Sequence, residues 1–165
     1  MTKQADWGYN TISNGGNIEN SWRTLSKYEW SFVFVLRMTD SGILFAKATV
    51  NGTSGIILLP DNWNNNTYNL NATNGYEANF SSNIISATVW ANILEANGAV
   101  FLPLNGERYG NTIESLSTAT YWSSSVCEIG EWSAKPISFD AEGIYLEINS
   151  ERYAGFGVRL VKLAE

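Results

Sequence analysis

The chain has 165 residues, 44% of them hydrophobic and 16% charged, a composition that fits one globular domain and excludes a disordered segment. Its net charge of -6 argues against nucleic acid or an anionic membrane as partner. With 0 His and 1 Cys it lacks the ligands for His/Cys zinc sites and four-Cys iron–sulfur clusters, the base for Ser-His-Asp or Cys-His catalysis, and any intrachain disulfide. Taken in chain order, Met1-Thr2-Lys3-Gln4 leads into polar sequence without an apolar run, so neither a signal peptide nor direct membrane insertion is expected of this chain. The first twenty-odd residues, with Asn14-Gly15-Gly16-Asn17, read as loop. Ser26 stands three residues before Glu29, a capping-box spacing, and Trp30, Val33 and Phe34 then fall on one helical face. A helix is predicted over 27–37, stopped by Asp40-Ser41-Gly42.

Two strands follow, 43–50 and 55–59, joined at Asn51-Gly52 by a hairpin whose linker is longer than two residues. Residues 62–83 are Asn-rich and read as a long surface loop. Asp61, Asn64 and Asn66 suggest an oxygen-ligand calcium loop, but a bidentate Glu and the required spacing are missing, so no metal or cofactor is assigned. A second helix is predicted over 86–97, with Ser86 as N-cap, Trp90, Ile93 and Leu94 inward, and Gly98 past its end. The remainder reads as a strand at 99–104, a polar loop over 107–117, and strands at 118–124, 135–140, 144–149 and 157–162. No repeat or composition break divides the chain. The fold class is therefore α+β in one domain, 1–165: two helices around a twisted, mostly antiparallel sheet with long loops.

Six segments carry a resemblance. They are Trp22-Arg23-Thr24-Leu25 with Glu29-Trp30; Phe45-Ala46-Lys47-Ala48-Thr49-Val50-Asn51-Gly52; Ile57-Leu58-Leu59-Pro60-Asp61-Asn62-Trp63; Glu95-Ala96-Asn97-Gly98-Ala99-Val100-Phe101-Leu102-Pro103; Tyr121-Trp122-Ser123-Ser124-Ser125; and Gly155-Phe156-Gly157-Val158-Arg159-Leu160-Val161. In this order they resemble the Fibrobacter-type paralogous domain of Bacteroidetes surface proteins, over about residues 5–163. That domain is similar to the C-type-lectin-like fold of formylglycine-generating enzymes and of the variable proteins of diversity-generating retroelements. The resemblance implies a C-type-lectin-like fold that displays ligand-binding residues from its last third. It implies no particular ligand.

The departures are as informative. The Glu-Pro-Asn or Gln-Pro-Asp and Trp-Asn-Asp tripeptides of calcium-dependent lectins are absent, so recognition is expected to be calcium-independent. One Cys cannot supply the copper-holding pair of formylglycine-generating enzymes. Retroelement-type variation would fall within residues 126–154. There Asn149, Ser150 and Tyr153 fit adenine-targeted codons, whereas Glu and Trp do not.

Trp22, Trp30, Trp90 and Trp122 read as core, and Arg159 as a structural partner of a carboxylate or of backbone carbonyls. Tyr121 and Trp122 fall on opposite sides of their strand. Trp132 reads either as a flat apolar face for a sugar ring or protein side chain, or as a loop anchor packed on the domain. Tyr153 and Arg152 stand before the closing strand, where such residues make interface anchors. Glu128, Glu131, Glu142, Glu147 and Glu151 make the region acidic, which reads as a solvated face or as a surface for a cationic or hydroxyl-rich ligand.

The expected function is thus non-catalytic recognition of a protein or glycan through Val126, Glu128, Glu131, Trp132, Asn149, Glu151, Arg152 and Tyr153, on a cell surface or phage particle. The alternatives are a retroelement-diversified receptor-binding protein and a structural module of a larger surface protein. Hydrolysis by paired carboxylates is the weakest reading, because nothing in the sequence makes two of them converge.

Overall fold

The computed structural model describes residues 21–127 and 132–162. In chain order these form β1 (Arg23–Thr24), α1 (Lys27–Ser31) running on as a π-helical segment (Phe32–Leu36), β2 (Phe45–Val50), β3 (Thr53–Leu58), a 3-10 turn (Phe80–Ser82) and β4 (Ile84–Ile85). Then come α2 (Ala87–Val89), continued by π-helical (Trp90–Leu94) and 3-10 (Glu95–Asn97) turns, β5 (Val100–Pro103), β6 (Glu107–Tyr109) and β7 (Thr112–Glu114). The chain closes with β8 (Ala119–Val126), β9 (Ser133–Phe139), β10 (Ile144–Tyr145), β11 (Ser150–Glu151) and β12 (Leu160–Val161). The class is α+β, with two short helices and a mixture of antiparallel and mixed sheets.

Both helices begin where side chains cap them. Ser26 Oγ accepts from Glu29 N, and the Glu29 carboxylate accepts from Ser26 N at 2.9 Å, completing a capping box. Arg23 donates to both oxygens of the same carboxylate, at 2.5 and 2.9 Å. These donors, Arg23 foremost and against the opposing effect of burial, hold the Glu29 carboxyl down at about 2. Ser86 caps α2, and Gly98 ends its last turn at φ 89, in the left-handed region that glycine tolerates.

One four-stranded sheet has the order β4-β2-β3-β5, antiparallel except for the parallel β2–β4 pair. In the other, β9 pairs β8 along one edge and β10 and β11 along the opposite edge. β2 and β3 alternate their side chains between two cores. Ala46, Ala48, Val50 and Ile57 pack with Trp63, Leu70, Ile85 and Leu94 on one side. Phe45 and Ile56 pack with Trp30, Phe34, Tyr121, Ile137 and Phe139 on the other. α1 joins the sheets: Phe34 meets Phe45 edge-on at 5.6 Å, and Trp30 lies 6.4 Å from Tyr121. Lys47, fully buried in β2, donates to the carbonyls of Tyr76 and Ala141, and burial lowers its pKa.

Several expectations are corrected. Val50 pairs directly with Thr53, so Asn51 and Gly52 alone form the hairpin turn, with φ 48 and 81 as a type I′ turn requires. Residues 62–83 are not a plain surface loop. They bury Trp63, Leu70 and Phe80, and their asparagines act as ties. Asn83 donates to the Lys47 carbonyl at 2.8 Å, and Asn74 accepts from Leu44 N at 2.8 Å. The calcium-like residues are otherwise engaged: Asp61 pairs with Arg37 at 2.9 Å, and Asn64 Oδ1 accepts from Asn66 N. The strands expected at 144–149 and 157–162 shrink to residue pairs, although Ile144, Leu146 and Ile148 keep their alternating burial. Of the four tryptophans read as core, Trp30 is fully buried, whereas Trp22, Trp90 and Trp122 are half-buried. Tyr121 is the inward ring of its strand, and its hydroxyl, pushed up to about 12 by burial, donates to the Pro103 carbonyl. Trp122 lies 4.6 Å from Phe156. Arg159 is exposed and forms no ion pair among the described residues.

Candidate functional site

The predicted display residues gather at one end of the sheet around β9. β8 follows β9 in register from Ala119 to Trp122, then bulges before Val126 meets Ala134. Serines absorb the bulge. Ser123 Oγ donates to the Lys135 carbonyl and accepts from Ser125 N. Ser124 N donates to Leu25 O at 2.8 Å, and Ser125 Oγ accepts from Lys27 N at 3.0 Å. The irregular stretch is thereby fixed to the start of α1, as bulges that re-aim side chains require.

On the other edge of β9, Ser150 pairs with Ala134 and Glu151 with Ser133. Arg152 N extends this ladder to the Trp132 carbonyl at 2.9 Å, and Arg152 Nε reaches Ser133 O at 3.1 Å. Cys127 Sγ donates to Asn149 Oδ1 at 3.3 Å. The backbones of residues 132–134 and 150–152 are thus held rigidly while their large side chains stand clear. Trp132 is 83% exposed and Tyr153 74%. Val126, Asn149, Glu151 and Arg152 are exposed beside them. Glu128 and Glu131 lie outside the described residues. The alternative reading of Trp132, a ring packed on the domain as an anchor, does not hold at that exposure.

One residue of this surface was missed from sequence. The stretch 107–117, read as a polar loop, contains the β6–β7 hairpin, turning at Gly110, whose φ of 58 suits the first position of a type II′ turn. The hairpin docks on the last loop through reciprocal bonds between Arg108 and Gly155, at 2.9 and 2.7 Å. A Cβ at Gly155 would sit 2.9 Å from Arg108 Cβ, so the approach needs glycine. Docking places Tyr109 edge-on to Tyr153 at 6.4 Å. Burial, and then the carboxylates Glu107, Glu114 and Glu151, raise the pKa of the Tyr109 hydroxyl. The Tyr-Gly-Asn-Thr run was the available signal for this turn.

The assembled groups are aromatic faces, carboxylates and an arginine whose Nε is held on a carbonyl. They suit stacking and hydrogen bonding. Among the described residues, no three His, Cys, Asp or Glu side chains converge as metal ligands. No helix among them is long and apolar enough to cross a membrane. No family model, curated protein or solved structure matches the chain.

Proposed function

We propose that this is a C-type-lectin-like recognition domain of the Fibrobacter-type paralogous kind, without catalytic activity, that binds a protein or glycan on a cell surface or phage particle. Val126, Trp132, Asn149, Glu151, Arg152 and Tyr153 make the contact, joined by Tyr109. The single observation that carries this reading is a pair of large exposed aromatics, Trp132 on backbone held by ladder bonds and Tyr153 in the turn that follows, closed by Ala154 N on Glu151 O. A rigid mount spares a binding surface the ordering cost that a loose loop incurs, and Trp and Tyr are the commonest anchors of such surfaces.

The test is binding to arrayed glycans and surface proteins by the whole chain and by Trp132→Ala/Tyr153→Ala. Removal of both rings is expected to weaken any captured interaction by at least about thirtyfold, the loss typical of hot-spot anchors, with the melting temperature nearly unchanged. Unaltered binding by the double variant would refute the assignment of this surface.

A further inference from the structure

The helix that joins the two sheets carries a second apolar face. Trp30 and Phe34 turn into the core. Tyr28, Phe32, Val35 and Leu36 recur at i, i+4, i+7 and i+8, and are 47% to 71% exposed. Met38, two residues past the helical segment, is 90% exposed. Ser31 alone interrupts the run from Trp30 to Leu36. A helix that is apolar all round is one that is buried all round, yet among the described residues only one side packs into the core.

The exposed side chains amount to on the order of 600 Å² of apolar surface, as large as the largest patch found on an ordinary monomer. Neighbouring charges already have partners within the chain. Glu29 is held by Arg23 and Ser26, Arg37 by Asp61 and the Leu44 carbonyl, and Lys27 reaches Glu147 at 3.4 Å. Covering the stripe therefore leaves none of these three charges unpaired in a dry interface.

We infer that this face is the contact between two copies of the chain, related by a two-fold axis passing near Phe32 and Val35 with the helices antiparallel. Two such faces, covered completely, bury at most about 1,200 Å², which reaches the lower end of what a specific interface needs. Phe32, Val35 and Leu36, apolar throughout, form a centre complementary to itself, which is what an isologous contact demands, while Tyr28, its ring under the Lys27 ammonium at 4.7 Å, falls at the rim. The inference is independent of the recognition surface proposed above.

Sedimentation equilibrium of the whole chain, from about 1 to 300 µM, tests it. The expected result is a reversible dimer whose dissociation constant rises at least about thirtyfold in Phe32→Glu and in Leu36→Glu, with circular dichroism unchanged. A monomer throughout that range would overturn the inference, as would a dimer of equal affinity in both variants. Val35→Cys keeps the question open to an answer should a glutamate disturb folding. Near the axis it is expected to give a disulfide-linked dimer on mild oxidation, whereas the parent chain, whose Cys127 is buried, does not. Failure of Val35→Cys to cross-link would also overturn the inference.

Discussion

In the sheet β4-β2-β3-β5, the central hairpin pairs without a break from Phe45–Leu58 to Val50–Thr53. In the sheet around β9, β8 bulges between Trp122 and Val126, and β10 and β11 contribute two residue pairs each. The first sheet is covered on both faces, so Phe45, Ala46, Ala48 and Val50 of β2 each have a core to fill and the register cannot slip. The second is covered on the α1 side, and at its far end serine side chains and short ladders replace a regular register. Regular pairing stabilises this molecule. Irregular pairing, braced by side chains, marks the end at which Trp132 and Tyr153 stand in solvent.

The contrast is sharpest in truncation experiments. Ile57→Ala empties a site with no exposed surface and is expected to cost about 2–5 kcal/mol in urea unfolding. Val126→Ala, at the display end, is expected to shift the same transition by less than about 0.5 kcal/mol. Comparable losses at both positions would erase the distinction between the sheets.

A smaller effect is expected at the junction. Glu29→Gln keeps an amide oxygen for the Ser26 N–H but removes the carboxylate that pairs with Arg23, a loss of about 1 kcal/mol. The carboxyl titrates at about 2 in the folded chain against an ordinary value of 4.5. The unfolded chain takes up the proton first as the pH drops. The contribution is therefore complete above pH 4.5 and lost as pH falls toward 2. The acid limb of a stability–pH profile is expected to flatten in Glu29→Gln. An unchanged profile would show that the carboxylate does not brace this end of α1.

The smallest effects belong to the display rings. Trp132→Ala is expected to leave the melting temperature unchanged. Tyr153→Ala is expected to cost a few tenths of a kcal/mol through its edge contact with Tyr109, discounted for solvent exposure. A fall of several degrees in Trp132→Ala would mean that the ring is structural.

The helices and the β2–β3 hairpin were legible in the sequence because their signals are local. Ser26 and Glu29, Ser86 and Gly98, and Asn51-Gly52 each act within a few residues. What escaped depends on partners far along the chain. β11 exists only because residues 133–134 offer it an edge, and β1 only because residues 160–161 return beside it. Tyr109 belongs to the candidate surface through a docking onto Gly155, 46 residues later, which no local pattern announces. Trp63 gave no sign of burial amid its asparagines, since the ties that fold residues 62–83 inward are side-chain bonds to distant backbone. Trp132 and Tyr153 were legible as candidates through the family resemblance. Their exposure was not, because the two rings flank the Ser133–Glu151 pairing, a contact between residues far apart in the chain.

The pairing of β1 with β12 has a mechanical consequence. Arg23 lies opposite Val161 and Thr24 opposite Leu160, so the chain enters and leaves at the same end of one short antiparallel ladder. Tension applied through both flanks would load those two residue pairs one after the other, as a zip is opened, and not all together in shear. Under load this domain should therefore part first at its seam, with Arg23–Thr24 peeling from Leu160–Val161 while both cores are still closed.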